Sequence, residues 1–339
     1  MNIRARTLAR IESAHRHGAF YRGYLANHLP MALVALDAMG ASDERIARFI
    51  ARYEVQLEPL APAAAPIEAG DEARHLGEPR AFSSWVDYFA ARIDHEGAPS
   101  VLRAWATRLA EGIGSGAFHG AIRTAYAVES GSARELAHAL AYWASAYEAL
   151  PVVKLGAGIE SPGQLLASIA SNSEHAGRKL PGANIAQRTR FAASQAGFAA
   201  LVARADAQAL TLDAIATALI HAYGASGNFT ILHGVTGCHA FRILARHFED
   251  GPRPVARFWT AIVAAYLGCG SPPVHGWRLE GRDALDWPEI RRRAVECDDE
   301  HDVKLAYSCW REGLHYGGDA WRRVASAAVC AAQREAMPC

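Results

Sequence analysis

The chain is poor in the features that define several large protein classes. It has six cysteines, Cys238, Cys269, Cys297, Cys309, Cys330 and Cys339, and no two are spaced C-x-x-C. That excludes paired-cysteine zinc sites and thioredoxin-like chemistry, so the cysteines are read as reduced thiols. Net charge is absent: Lys plus Arg number 35 and Asp plus Glu number 35. No field of one sign therefore draws the chain to nucleic acid or to an anionic membrane surface. The opening MNIRARTLARIESAHRHGAF has no apolar run long enough for a signal peptide or a membrane span, and the expected location is the cytoplasm. Long alternating runs of Val, Ile and Thr are missing, so no strand is predicted, and no repeat of fixed period is found. Walker A, H-E-x-x-H and G-x-S-x-G sequences do not occur. GIGSGA, from Gly112 to Ala117, fits G-x-G-x-x-A, but it follows a predicted helix where the dinucleotide motif needs a strand.

What is present is apolar and periodic. Hydrophobic residues make up 51% of 339 and charged residues 21%, enough for a sizeable core. Apolar residues recur at helical spacing almost throughout. The pattern predicts a short opening helix marked by Ile3, Leu8 and Ile11, a helix started by Pro30, and one from Asp43 to about Leu57 capped by Ser42. Further helices are expected at Phe82–Ile93, Pro99–Glu111, Phe118–Val128 and Ala133–Leu150, and another opens at Ser161-Pro162. Ile185–Ala205, Leu210–Tyr223, Phe229–Phe248, Val255–Leu267 and Asp319–Ala336 complete the set, with one more begun by Asp286-Trp287-Pro288. SNSEHAGRKLPGAN and GCGSPPVHGWRLEGRDALDWP are read as irregular. The expectation is one large all-α domain over residues 1–339, with an internal pocket for metal and substrate between helices.

Histidine is the unusual count, at 15. A metal site in a helical protein takes side chains projecting inward from several helices. His28 lies before an apolar helix in YLANHLPMALVAL, though the same place suits an exposed turn histidine. His119, in GIGSGAFHGAIRTAYAV, shares a face with Ile122, Arg123 and Tyr126 and is also readable as a satisfied core histidine. His233 and His239 share one helix, about 120° apart, so one centre is not expected to use both. His233 stands beside small residues; His239 reads as packing or as support for a ligand. His15, His17, His75, His95, His175, His247 and His275 are expected to be solvated, while His138 and His221 fit a core.

CDDEHDVKLAYSCW, from Cys297 to Trp310, puts His301 three residues before Lys304, hence on one helix face. A buried lysine tends to lose its charge. A neutral amine can take up carbon dioxide as a carbamate, an anionic oxygen donor, so His301 and Lys304 together could hold a metal. Taken alone, the stretch fits better a surface helix whose acidic first turn, Asp298, Asp299 and Glu300, suits the helix dipole.

Four stretches, NHLPMALVAL, AFHGAIRTAYAVES with LAHALAYWASAYEALP, FTILHGVTGCHAFRIL and DDEHDVKLAY, occur in the order found in the questin oxidase-like proteins, which the chain resembles from His28 to Lys304. The resemblance implies a helical oxygenase that cleaves a ring of an anthraquinone-type polyketide by a Baeyer–Villiger-like oxygen insertion. It implies a non-haem Fe(II) held by four histidines, here His28, His119, His233 and His301, with a carboxylated lysine, here Lys304. Its partners would be dioxygen and an aromatic or quinone substrate, with electrons drawn from the substrate phenolate or from NADPH. Asp298, Asp299 or Glu300 would hydrogen-bond a ligand imidazole, and Arg123 and Tyr126 would contact substrate oxygens. The chain is shorter than typical fungal members, and segments that cover substrate there are expected to differ. Two other classes remain open at this point: an HD-type metal-dependent phosphohydrolase, in which Asp302 would itself be a ligand, and a non-catalytic helical binding protein with merely packed histidines.

Overall fold

A computed structural model describes residues 3–249, 251–276 and 284–336. Sixteen α-helices are found among them, joined by short 3₁₀ turns, with a single two-stranded ribbon. They form one large helical domain, as the apolar periodicity requires. No helix among the described residues is long and apolar enough to cross a membrane.

Four helices carry the candidate residues. Leu29–Met39 is buried almost all round, which accounts for its unbroken apolar run LPMALVALDAM. His119–Ser130 and Phe229–Leu244 pack along each other and are buried over most of their length. Glu300–Tyr316 lies against both Leu29–Met39 and Phe229–Leu244. Each start has a local cause. Asn228 caps Phe229–Leu244 by accepting from the backbone N–H of Thr230 and Ile231, and Asp299 caps Glu300–Tyr316 by accepting from His301 N–H. Ser42 and Ser161 cap the helices expected of them, Ser161 with a full capping box closed by Gln164.

The differences from expectation lie at ends and breaks. The helix from Asp43 stops at Tyr53 and tightens into a 3₁₀ turn, Glu54–Gln56. Ala133–Leu150 ends at Ser145, where the Gly77 N–H takes the Ala144 carbonyl. Ile185–Ala205 is two helices, Ile185–Ala193 and Phe198–Val202, parted at Gly197, whose φ of +85° no helix accommodates. The expected absence of strands gives way to the ribbon Phe20–Tyr21 with Leu25–Ala26, too short to show as alternation. Part of the expected irregular segment GCGSPPVHGWRLEGRDALDWP, residues 277–283, falls outside the described residues. The five described cysteines are unpaired.

Closest to the site, Gly120 lets His119–Ser130 lie against the helix that carries Trp143. A Cβ on Gly120 would stand 2.5 Å from the Trp143 ring, and Trp143 is fully buried. Gly120→Ala is therefore expected to cost about 1–3 kcal/mol by overpacking, despite the better helix propensity of alanine. A urea midpoint equal to or above that of the parent would contradict this close contact.

Candidate metal centre

His28, His119, His233 and His301 come from four different helices and meet as a closed ring of imidazoles. Centroids lie 4.5 Å apart for His28 and His119, 4.9 Å for His119 and His233, 5.4 Å for His233 and His301, and 4.8 Å for His301 and His28. Donor nitrogens of His28, His119 and His301 all fall within 4.8 Å of one another, and His233 stands slightly farther out. Three of the four rings are at least nine-tenths buried; His301 keeps some exposure.

Local backbone sets each one. The polar Asn27 accepts from Leu29 N–H and fixes the turn before His28, whose own N–H donates to the Tyr53 hydroxyl. His119 follows Gly116, Ala117 and Phe118, all three left-handed, at φ of 55°, 57° and 66°. Two such non-glycine residues in succession are strained, and strain of this kind persists where surrounding structure over-determines it. The turn lets His119 Nδ1–H donate back to the Gly116 carbonyl. His233 Nδ1–H donates to the Phe229 carbonyl one turn earlier, at 2.8 Å. His301 Nδ1 lies 3.0 Å from Asp299 Oδ1 and 3.5 Å from Glu300 Oε1. Glu300 Oε1 is also 3.4 Å from His28 Nδ1. His119, His233 and His301 thus have Nδ1 turned to a carbonyl or carboxylate, the arrangement that fixes the tautomer and leaves Nε2 for a ligand. His28 Nε2 and His119 Nε2 face each other at 2.8 Å.

Lys304, one turn after His301, reaches the other edge of the His28 ring. It is 2% exposed, and its Nζ lies 3.2 Å from His28 Nδ1, the nitrogen turned away from His119. Burial pulls the lysine down to about 8, against the opposing charges of Glu300 and Asp299. Burial likewise pushes His28 and His119 well below the ordinary histidine range, helped by Lys304 and the neighbouring imidazoles, and takes His233 to about 3. These rings are uncharged donors at neutral pH.

Other expected residues stand elsewhere. Of the acidic run, Asp299 and Glu300 lie against the rings of His301 and His28, whereas Asp298 pairs with Arg45 at 3.3 Å and with Arg52. Arg123 and Tyr126 are not placed to meet a substrate. Arg123 forms a two-pronged ion pair with Glu135, and Tyr126 packs against the rings of His239 and Tyr307, because one and two turns beyond His119 the helix face has rotated onto other helices. His239 is buried away from the four, 2.6 Å from Glu312. His15, expected in solvent, is buried: it bonds Glu135 at 2.6 Å and stacks on His138. Phe229 went unnoticed in the sequence. Its ring, 53% exposed, lies edge-on to His233 and His301 at 4.7 and 4.8 Å. The strained turn before His119 was likewise missed, although the glycines of GIGSGAFHG signalled it.

A cavity of about 710 Å³ lined by Tyr53, Asp299 and Glu300, with Arg22 and Arg52, adjoins the outer side of His28 and His301. A second, of about 640 Å³, is lined by His175, Arg178 and Phe198 and includes none of these donors. Residues 25–309 match a family model described as Questin oxidase-like. No curated protein matches the chain.

Depressed histidines have a consequence for stability. Below the unfolded value near 6.5, the unfolded chain takes up protons that His28, His119 and His233 refuse when folded, so stability falls as pH drops. The expected slope is roughly 1.4 kcal/mol per pH unit for each such histidine in metal-free protein. Urea denaturation at pH 7 and pH 5 measures it, and equal midpoints would refute the uncharged burial of these rings.

Proposed function

Because the chain belongs to the questin oxidase-like family, whose description indicates an oxygenase acting on polyketide substrates, we propose that it is an iron-dependent oxygenase that opens a ring of a quinone or polyphenolic substrate. The observation that carries the reading is the meeting of four imidazoles, carried at the start or along the length of four helices, with a buried lysine against one of them.

The donor set suits the metal. His28 Nε2 and His119 Nε2 stand 2.8 Å apart, a separation that suits a hydrogen bond between them. It also suits two ligands of one ion, since nitrogens about 2.1 Å from an ion, in neighbouring positions, are about 3 Å apart. Imidazoles with one anionic oxygen suit iron(II). His28, His119, His233 and His301 would hold it through Nε2, and Lys304 as its carbamate would supply the oxygen. The carbamate forms when the neutral amine attacks carbon dioxide: an N–C bond is made as one C=O π bond opens onto oxygen, one N–H proton goes to solvent, and the product is an anion. A lysine near 8 supplies the neutral amine, and Glu300 and Asp299, which favour the charged form, set a limit on it. When bound, iron supplies activation of dioxygen.

The remaining tasks belong to side chains seen in place. Asp299 and Glu300 hold His301 and His28 by their Nδ1 atoms, and the Gly116 and Phe229 carbonyls hold His119 and His233. Tyr53 fixes the backbone of His28. Burial of three rings keeps bulk water from the centre, and the half-exposed Phe229 covers the side at His233 and His301. Electrons come from the substrate as its phenolate or from an external reductant such as NADPH.

The phosphohydrolase reading needs Asp302 as a ligand, but the donor atoms that group at this point are those of His28, His119 and His301, with Asp299 and Glu300 beside His301. A purely structural cluster leaves a buried lysine among the imidazoles without a purpose. Purified protein is expected to hold about one iron per chain. Lys304→Ala should lower that sharply and Asp302→Ala should leave it largely intact. Full iron occupancy in the Lys304 variant would remove the carbamate from the proposal, and loss of metal in the Asp302 variant would favour the phosphohydrolase. Oxygen uptake with a hydroxylated anthraquinone tests the substrate class.

A further inference from the structure

The helices that bring His119, His233 and Lys304 together continue past them into a second polar layer that metal binding does not use. Tyr307 is at its centre. It lies one helical turn beyond Lys304, about 4.5 Å along the axis. Its ring is fully buried. Its hydroxyl donates to Glu129 Oε1 at 2.9 Å and accepts from Arg311 Nη1 at 3.2 Å. Three aromatic rings surround it: His239 at 5.5 Å, Tyr126 at 5.6 Å and Trp310 at 6.1 Å. Trp310 is half-buried and reaches the surface, with the Arg291 guanidinium 4.3 Å over its ring.

A phenol gives up an electron readily only if its proton has somewhere to go, because the cation radical is a very strong acid. Tyr307 has a carboxylate in hydrogen-bond contact. Burial works against the charge on Glu129, but the hydrogen bond and charge of His239 outweigh it and hold the carboxyl below its usual range. Tyr126 differs: its hydroxyl makes no hydrogen bond to Glu129, and its polar neighbour, the Ser308 hydroxyl, is too weak a base to take a proton. Proton transfer to Glu129 would leave Tyr307 neutral, so the nearby Arg311 would not oppose its oxidation. Trp310 has no such relief from Arg291, and an oxidising equivalent shared between the two would settle on Tyr307.

We propose that Tyr307 is a redox-active tyrosine, oxidised by one electron while its phenolic proton passes to Glu129, with Trp310 as the step between it and the surface. The O–H bond of Tyr307 breaks and an O–H bond to Glu129 forms. The electron goes to a one-electron oxidant. The neutral radical is later refilled through Trp310 by one electron from a thiolate in solution, which becomes a thiyl radical and pairs as a disulfide, while the proton returns from Glu129 to the Tyr307 oxygen. In the working protein the oxidant would be an oxidised centre at the histidines, a clause that rests on the oxygenase reading. Tyr307 would then take up oxidising equivalents left when no substrate is present.

The test needs no metal chemistry, because the oxidant is supplied by light. Full-length protein carrying Tyr24→Phe, which removes a tyrosine 54% exposed, is flashed with tris(bipyridyl)ruthenium and persulfate, frozen, and read by electron paramagnetic resonance. A neutral tyrosyl signal is expected. Tyr307→Phe should abolish it, Trp310→Phe should lower its yield, and Glu129→Gln should leave the radical on tryptophan. Tyr307→Phe and Glu129→Gln nearly preserve volume, and melting curves check that each variant, Trp310→Phe included, is folded. A tyrosyl signal of undiminished strength in Tyr307→Phe or in Glu129→Gln overturns the proposal. Protein that purifies without iron and cannot be loaded with it, yet forms the radical at Tyr307, counts against the oxygenase alone, and iron-loaded protein whose radical lies elsewhere counts against Tyr307 alone.

Discussion

Imidazoles packed ring against ring in a dry interior need a fixed acceptor for their one N–H, or burial leaves an unsatisfied donor that costs more than the packing returns. The local structure around the site meets that requirement. The three left-handed residues before His119 exist where its Nδ1 must turn back to the Gly116 carbonyl. His233 uses the carbonyl of its own helix, and the Asp299 cap serves both the helix N-terminus and His301. The price of strain is confined to one turn, and His28 and His119 meet Nε2 to Nε2.

The same helices carry two further buried ionic groups, each closed by its own partners. Glu135 takes Arg123 and His15, and these hold it at about 2 although burial alone would raise it. Glu312 takes Arg242 and His239, again near 2. His239 rises to about 9, because two glutamates overcome the burial that would lower it. His239 and His233 sit on one helix and are both fully buried, yet they move in opposite directions. Carboxylate neighbours on one side and a lysine with imidazoles on the other decide the difference. Charge is therefore kept out of the histidine ring and collected in the layers beside it.

Much of the fold was legible because apolar period and capping are local. Helices at Asp43, Ser161 and Phe229 begin where their caps stand in the sequence. Helix ends were less legible, since Ala133–Ser145 stops where Gly77, distant in the chain, takes a carbonyl. For the site, small residues beside His119 and His233 marked them as buried, and spacing put His301 and Lys304 on one face. The same reasoning failed for Arg123 and Tyr126, because sharing a helix face with His119 says nothing about which neighbour each turn meets. It failed for His15, whose polar surroundings in sequence gave no hint of Glu135, 120 residues away.

The sequence by itself determined the helices, the chemistry of each donor and the family, since these depend on residue type and short-range spacing. Tertiary structure decided which donors share a point. His28 and Lys304 are 276 residues apart and come within 3.2 Å only because Leu29–Met39 and Glu300–Tyr316 pack together. That packing also removes water from the lysine and so gives it an amine able to lose its proton, a property that no spacing along the chain encodes.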